Sequence, residues 1–247
     1  MALERNHFTV ATLRARLNRL HRRFDGNESL LPAVHQHNLP TMIDVARTYL
    51  ELALQQTLLN RKESLMSAHT ALNEVELVLN TFAHNKPKQD FALDVFFDGF
   101  QRALPHFLHA LDRRHPLEFR AEGLANHSIR LDPHLVRGAL AILVHNAILA
   151  TRQGKHPGAP VIVNARVATH DGLPHVWFEV HDQGPGVPSH LFDSLFSQAV
   201  PPNPKESRRG FGAEGVRRMV DDHLGLVLKE SVKGRGSRLG FLLPLLH

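Results

Sequence analysis

The spacing of apolar residues predicts that the first third of the chain is helical. Between residues 8 and 24, apolar positions recur at intervals of three and four, as expected for a helix with one buried face. The same period runs from about residue 29 to residue 59, and another helical stretch extends from residue 63 to about residue 84. Two long helices joined by a short turn predict an antiparallel hairpin, and two such hairpins would bury their apolar faces in a four-helix bundle. The apolar positions of the first hairpin helix are Leu39, Ile43, Ala46, Leu50 and Ala53.

Beyond a polar, proline-containing linker at residues 85–88, the pattern changes to mixed helices and strands. A helix that begins at Asp132 and Pro133 is well marked, because Asp can cap the first turn and proline suits the first helical position. The other helices are predicted at residues 90–111 and 214–223, and strands at 117–120, 128–131, 161–169, 175–181, 226–231 and 237–243. The predicted fold class is α+β: a helical hairpin forming a dimeric four-helix bundle, followed by an α/β sandwich. The predicted domains are an N-terminal amphipathic helix at 1–27, the hairpin at 28–85 and the sandwich at 90–247.

The composition is that of a soluble globular protein. Of the 247 residues, 43% are hydrophobic and 21% are charged, which provides enough apolar surface for a core. The absence of cysteine excludes disulfides and thiolate metal sites and fits a reducing compartment. The most apolar stretches, residues 138–150 and 239–246, are shorter than the roughly 20 residues of a membrane-spanning helix, so we expect no membrane attachment.

The net charge of +5 is small, and its main cluster is formed by arginines of the first helix. These arginines alternate with the apolar stripe, which indicates a solvated helix face rather than a nucleic-acid surface. Nucleic-acid binding by this helix stays the alternative, and a steep loss of DNA affinity with added salt would reveal it. The arginines are Arg14, Arg16, Arg19, Arg22 and Arg23.

A glycine-rich loop follows the strand predicted at residues 175–181. It contains Asp182, Gly184 and Gly186 in the pattern D-x-G-x-G. A buried carboxylate can accept a hydrogen bond from an adenine amine, and the glycines let the backbone approach the base. Taken alone, the motif is equally consistent with a simple turn.

Three further groups of residues lie upstream or downstream of this loop in the sequence. Asn146 lies upstream in the apolar helix, and its amide oxygen suits Mg²⁺, although an ordinary helix residue would look the same. Downstream, Gly210 and Gly212 open a helix, where free N–H groups favour phosphate. Ser237 follows a glycine-containing turn and begins the closing strand.

In this order the motifs resemble those of the ATPase domain shared by histidine kinases, gyrase and heat-shock ATPases, and the closing strand resembles the histidine-kinase branch. The resemblance covers roughly residues 90–247. It implies that the sandwich binds ATP, that Asp182 binds the adenine amine and that Asn146 holds Mg²⁺. The matching residues are Asn146 in the N box, Asp182, Gly184 and Gly186 in the first glycine box, residues 191–196 in the F box, Gly210 and Gly212 in the second glycine box, and Gly236, Ser237, Leu243 and Pro244 at the end.

The chain departs from this family at two places in the sandwich. Ile142 stands four residues before Asn146, where the family often has a second asparagine. The second glycine box reads G-x-G-L-G-L in the family, but here it runs from Arg208 to Ala213 and keeps two of its glycines. Both changes are expected to weaken phosphate binding.

A histidine kinase of this type also needs a phosphorylatable histidine on the hairpin, and His35 and His37 are the candidates. With His37 as the acceptor, the apolar stripe is buried and Thr41 follows four residues later. With His35, Pro40 matches the family, but polar side chains are buried instead, each at about 1–3 kcal/mol. Those polar residues are His37, Thr41, Asp44, Thr48 and Glu51. We predict His37 as the acceptor, with Asn38 where the family has an acid that activates the imidazole.

The resemblance therefore implies a cytoplasmic, homodimeric histidine kinase that uses ATP and Mg²⁺ to phosphorylate His37, with Asn38 and Thr41 beside it. The phosphoryl group would pass to an aspartate of a response-regulator receiver domain. Because an amide cannot take a proton, Asn38 and Ile142 leave a second interpretation open, a phosphotransferase or scaffold of the same fold with weakened catalysis. A serine kinase acting on an anti-sigma-type partner would leave the hairpin unexplained.

Overall fold

The chain divides into two compact units, residues 1–85 and 86–247. The computed structural model describes residues 9–25, 87–108, 114–193, 195, 196 and 212–246, and separate positions within 43–79. Those positions are 43, 44, 46–48, 50, 51, 54, 65, 68, 69, 72, 75, 76 and 79. The element order mixes helices and strands, as the sequence predicts.

Helix α1 (Val10–Asp25) supplies a buried apolar stripe to the first unit. The described residues within 43–54 and 65–79 are helical too, in agreement with the predicted hairpin helices. Arg16 of α1 forms an ion pair with Glu76 and lies 3.4 Å from Nδ1 of His69, so α1 runs beside the second hairpin helix. The buried residues of α1 are Leu13, Leu17, Leu20 and Phe24.

The apolar stripe of the first hairpin helix is already buried within the single chain. Ile43, Ala46 and Leu50 are each at most 2% exposed, whereas Leu39 and Ala53 lie outside the described residues. Apolar residues of the second hairpin helix are buried as well, namely Ala68, Leu72, Val75 and Leu79. With α1 as a third helix, the described part of this stripe is buried without a second subunit. The dimeric four-helix bundle therefore stays a prediction.

The second unit is built on a five-stranded sheet. Its strands are β2 (Leu117–Glu122), β4 (Val161–His170), β5 (Leu173–His181), β6 (Leu226–Val232) and β7 (Gly236–Pro244). They lie in the order β2-β4-β5-β7-β6, with β2 parallel to β4 and the other pairs antiparallel. The order places the C-terminal end of β5 beside the N-terminal end of β7, because His181 pairs with Arg238.

Three helices cover one face of this sheet: α2 (Leu93–Phe107), α3 (Pro133–Gln153) and α5 (Gly212–Asp222). The alternating residues of β5 supply the core face, with Phe178 at its centre. The Phe178 ring lies 6.0 Å from that of Phe96 and 6.3 Å from that of Phe97, which joins the sheet to α2. Aromatic pairs at these distances add to the stabilisation from burial alone.

Helix α3 begins as predicted and runs through the core. The Asp132 side chain accepts hydrogen bonds from the N–H groups of His134 and Leu135, which caps the first turn. At 21 residues, with a mean hydropathy of 1.4 over its most apolar stretch, α3 is long and apolar enough to cross a membrane by length and composition. The expectation that no segment reaches this limit was therefore wrong, because the helix extends beyond residues 138–150. Two thirds of that stretch is buried inside the protein, as in a core helix.

Two elements differ from the sequence predictions. Strand β1 (Gln89–Ala92) replaces the start of the helix predicted at residue 90, and it pairs with β3 (Ser128–Leu131) in a separate two-stranded sheet. Ala92 precedes α2 without a side-chain cap, so the local sequence does not mark where the strand ends and the helix begins. A short helix, α4 (Ser189–Phe192), is absent from the predicted elements.

Candidate functional site

Asp182 directly follows β5 and starts the glycine loop as a buried carboxylate. The residue is 8% exposed, its Oδ1 accepts the Gly184 N–H at 2.8 Å, and its own N–H donates to the Ser237 carbonyl at 2.9 Å. Burial raises the pKa of the Asp182 carboxyl, and hydrogen bonds from Gly184 and Ser237 lower it. A desolvated acceptor of this kind favours a ligand that brings a hydrogen-bond donor and rejects one that does not.

The glycines of the loop permit close contact with two neighbouring elements. A Cβ on Gly184 would lie 2.7 Å from the carbonyl oxygen of Ala150 in α3. Gly186 has φ +82°, and a Cβ there would lie 2.8 Å from the carbonyl oxygen of Val232 in β6. A larger residue at either position would displace backbone, so both glycines are required by the path of the loop.

The turn between β6 and β7 holds the other side of the loop. The Gly234 N–H donates to the Pro185 carbonyl at 2.8 Å. Gly236 has φ +92°, and a Cβ there would collide with the carbonyl oxygen of Asp182. This contact sets Ser237 beside Asp182, so two residues predicted from separate motifs come together.

Asn146 lies on α3, one helical turn from the loop. It is partly exposed, and it precedes Ala150 by four residues, so both occupy the same helix face. Close to that contact, Oγ1 of the buried Thr151 accepts the Gln183 N–H at 3.2 Å. The nearby residues Leu140, Leu143, Val144 and Ala147 of α3 are all buried.

These residues fit ATP and Mg²⁺ by their chemistry. Asp182 offers a desolvated acceptor, the glycines offer backbone without side chains, and Asn146 offers an amide oxygen. In the described part of the chain, no three His, Asp or Glu side chains are grouped so as to hold a metal. A Mg²⁺ bound here would therefore take its remaining ligands from phosphate and water, as Mg²⁺ commonly does.

The second glycine box is described only at its end. Gly212 is the first residue of α5, while Gly210 lies outside the described residues. At the other end of α5, the buried His223 ties this helix to the start of α3. Its Nε2 accepts the Asp132 N–H at 3.0 Å, and its Nδ1 lies 2.7 Å from the Met219 carbonyl.

The F box is anchored to β6. The Lys229 ammonium donates to the carbonyls of Phe192 at 2.8 Å and Asp193 at 3.2 Å, and it stands 5.0 Å from the centre of the Phe192 ring. Positive charge at the carbonyl end of a helix is favourable. Phe196 is buried, with φ +73°.

The predicted phosphotransfer residues lie outside the described residues, which applies to His37, Asn38 and Thr41 as well as to the alternative His35. The burial of the neighbouring helical positions agrees with the register in which His37 is the acceptor. Asp44, Thr48 and Glu51, which the choice of His35 would bury, are exposed. The choice of His37 stays a prediction.

Several contacts within the second unit were not predicted. Thr151, Ser231 and His223 reach partners 32, 44 and 91 residues away in the sequence. Hydroxyl and imidazole side chains are common on helices and strands, so no local pattern singles them out. For Ser231, the missing information was the strand register, because the register sets Ser231 directly opposite Ser237.

The C-terminal half of the chain matches a known family. The family described as histidine kinase-, DNA gyrase B- and HSP90-like ATPase matches residues 131–247. The adaptive-response sensory kinase SasA of Synechococcus sp. is 32% identical over 120 residues, which are 48% of this chain and 30% of that protein. The sensory histidine kinase/phosphatase NtrB of Klebsiella oxytoca is 31% identical over 102 residues, which are 39% of this chain and 28% of that protein. The chain thus spans less than a third of the length of these relatives.

A solved structure resembles a larger part of the chain. The crystal structure of full-length ShkA in complex with AMPPNP superposes with a TM-score of 0.52 and covers 89% of this chain and 46% of that one. The two sequences are 19% identical, so the likeness shows a common fold.

Proposed function

Because residues 131–247 match the histidine kinase-, DNA gyrase B- and HSP90-like ATPase family, we propose that this protein is a two-component histidine kinase. It binds ATP·Mg²⁺, phosphorylates His37 and passes the phosphoryl group to an aspartate of a response-regulator receiver domain. The observation that carries the proposal is the buried Asp182 carboxylate, held by Gly184 and Ser237 at the start of a loop that has no room for a side chain at Gly184 or Gly186. We expect a homodimer that works in the cytoplasm, where ATP is available.

The nucleotide is bound by groups from three elements. Asp182 accepts a hydrogen bond from the adenine amine, and Asn146 provides an oxygen ligand for Mg²⁺. Gly210 and Gly212 let phosphate approach the N–H groups at the start of α5. When bound, Mg²⁺ neutralises charge on the phosphates.

Phosphoryl transfer follows from the nucleophile on the hairpin. A ring nitrogen of neutral His37 forms a bond to the γ-phosphorus, the bond from that phosphorus to the ADP oxygen breaks, and the imidazole loses its proton to water. Asn38 cannot accept this proton, so we expect the step to be slow. In the second step the receiver carboxylate forms a bond to phosphorus, and the nitrogen–phosphorus bond breaks.

A phosphotransferase with weakened autokinase activity is the second candidate. Two residues favour it, Asn38 beside the acceptor and Ile142 one turn before Asn146. Ile142 is buried within α3, so it contributes to the core where the family often has an amide. Such a protein would accept phosphate from a phosphorylated receiver without needing ATP.

The decisive experiment labels the protein from both directions. The chain is incubated with radiolabelled ATP and Mg²⁺, or with a phosphorylated receiver domain, and the label is tested for stability in alkali and loss in acid. His37→Gln is expected to abolish acid-labile labelling in both reactions. His35→Gln, the matched control two residues away, is expected to retain most of it.

Each other outcome has a defined meaning. Labelling from the receiver but not from ATP would establish the phosphotransferase. Loss of labelling in His35→Gln alone would make His35 the acceptor. Full labelling in both variants would contradict the assignment of His37 and of His35 as the acceptor.

A further inference from the structure

A chain of hydrogen bonds joins the two ends of the glycine loop through the β6–β7 hairpin. At the far end of the loop, the Val187 N–H donates to Oγ of Ser231 at 2.7 Å. Oγ of Ser231 lies 3.1 Å from Oγ of Ser237. Ser237 in turn is tied to Asp182, where the loop begins: its carbonyl accepts the Asp182 N–H at 2.9 Å, and its hydroxyl lowers the pKa of the Asp182 carboxyl.

The direction of the protons along this chain follows from its two ends. The Val187 N–H can only donate, so Ser231 accepts from it and keeps its own hydroxyl proton for another partner. The ionised Asp182 carboxylate can only accept, so the Ser237 hydroxyl proton points to it. Ser237 then accepts the proton that Ser231 offers. All hydrogen bonds of this series therefore donate in one direction, from the backbone amide toward the carboxylate, and each bond polarises the next.

We propose that Ser231 is a positioning residue of the adenine pocket, which acts by orienting the Ser237 hydroxyl toward Asp182. This inference rests on the proposed function, since it assigns Asp182 to the adenine amine. Ser231 does not need to touch the nucleotide, because its effect passes through Ser237.

The backbone places Ser231 for this role. Ser231 and Ser237 are register partners on β6 and β7, where facing Cβ atoms lie about 4.5–5.5 Å apart. The space beside Ser231 is restricted, because a Cβ on Gly186 would lie 3.1 Å from its Oγ. A short hydroxyl side chain therefore fits between the loop and the hairpin.

The orientation has a consequence for the charge on Asp182. Its neighbours are Gly184 in the loop, Ser237 on β7, and His181 on β5, which also lowers the Asp182 pKa. From α3, Thr151 binds the loop at Gln183. Without Ser231, the Ser237 hydroxyl stabilises the ionised carboxylate less, so the pKa of Asp182 rises. Asp182 is then protonated at a higher pH, and the hydrogen bond to the adenine amine is lost at a higher pH as well.

The test measures ATP affinity by calorimetry between pH 8 and pH 5.5 for wild type, Ser231→Ala and Ser231→Thr. Ser231→Ala is expected to bind roughly three- to tenfold more weakly at pH 8, the loss expected for one hydrogen bond. Its affinity should also begin to fall at a higher pH than that of wild type. Ser231→Thr, which restores a hydroxyl, should recover both properties. Thr169→Ala removes an exposed hydroxyl from the far end of β4 and serves as the control.

A double-mutant cycle separates positioning from general loosening of the fold. If Ser231 acts through Ser237, adding Ser231→Ala to Ser237→Ala should leave the pH profile unchanged. A Ser231→Ala variant with the wild-type profile, or with a uniform loss at every pH, would overturn the inference. Failure of the wild type to bind ATP would instead overturn the proposed function. Thermal unfolding of each variant verifies that the fold is kept. If the alanine variant unfolds, Ser231→Cys carries the test, because its thiol has nearly the same shape but hydrogen-bonds weakly, and it should shift the pH profile in the same direction.

Discussion

At the scale of residues, Asp182 illustrates a conflict between folding and the binding role proposed for it. Burial raises its pKa, so the ionised carboxyl opposes folding at pH values above that pKa. The sign follows from linkage, because a carboxyl with a raised folded-state pKa favours folding only while it is protonated. Hydrogen bonds from Gly184 and Ser237 reduce this effect. A buried charge of this kind is expected where a ligand uses it.

Asp182→Asn is therefore expected to separate the two properties. The amide can turn a donor toward the adenine amine, so ATP affinity should fall at least tenfold, measured by calorimetry. The buried charge is removed, so the melting temperature near pH 7 should be equal to or higher than that of wild type. Asp171→Asn, in the exposed β4–β5 turn, is the matched control and should change neither property. Unchanged affinity in Asp182→Asn would place the nucleotide elsewhere.

The residues of the site differ in how far the sequence reveals them. Asp182, Gly184 and Gly186 stand in one short motif, so their spacing along the chain is enough to indicate them. Ser231 and Thr151 are single hydroxyls whose partners lie in other elements. Their role depends on strand register and helix packing, which a local pattern does not contain.

At the scale of elements, periodicity predicts the helices and most strands, and it fails where pairing is distant. Strand β1 exists because it pairs with β3, although its residues carry no β-branched side chain. Helices α3 and α5 are joined by His223, which accepts the Asp132 N–H through Nε2. With the Met219 carbonyl next to Nδ1, this arrangement requires a neutral ring with its proton on Nδ1.

The His223 contact predicts how the stability of the second unit depends on pH. Burial lowers the pKa of His223, Lys88 lowers it further, and the Met219 carbonyl, Asp222 and Asp132 raise it. The folded state therefore holds the proton less tightly than the unfolded chain, so stability is complete above the unfolded pKa of about 6.5 and declines below it. Protonation of Nε2 would also remove the acceptor of the Asp132 N–H.

The measurement is the melting temperature between pH 7.5 and pH 5. His223→Gln should show a smaller decline on acidification than wild type, at the expense of lower stability at pH 7.5. His156→Gln, on an exposed loop, is the control and should follow wild type. Equal slopes for wild type and His223→Gln would contradict the prediction.

At the scale of the whole molecule, the first unit shows what a stripe of apolar residues leaves undecided. The period of the hairpin helix predicts that Ile43, Ala46 and Leu50 are buried, and they are. It does not say which surface covers them. Within the described residues α1 and the second hairpin helix contribute buried apolar faces of the same unit, while Leu54 remains 53% exposed.

Two aspartate substitutions distinguish folding from assembly. Leu50→Asp places an unpaired charge in the interior of one chain and should destabilise the first unit by more than about 3 kcal/mol, seen as an early thermal transition. Leu54→Asp, one turn further along the helix, should leave this transition in place and dissociate the proposed dimer, seen by light scattering at low concentration. A monomeric wild type, or a Leu54→Asp variant that stays dimeric, would count against Leu54 as part of a dimer contact.

The packing of Gly236 has a consequence for how this sequence can change over time. A side chain introduced at Gly99 would meet the end of the flexible Arg137 side chain, so a second substitution at Arg137 could make room for it. A side chain at Gly236 would meet the carbonyl oxygen of Asp182, which every amino acid carries. No second-site suppressor at the point of contact can relieve that clash. Gly99 and Arg137 can therefore change together during evolution. Gly236 stays constrained by the main chain, whichever residues surround it.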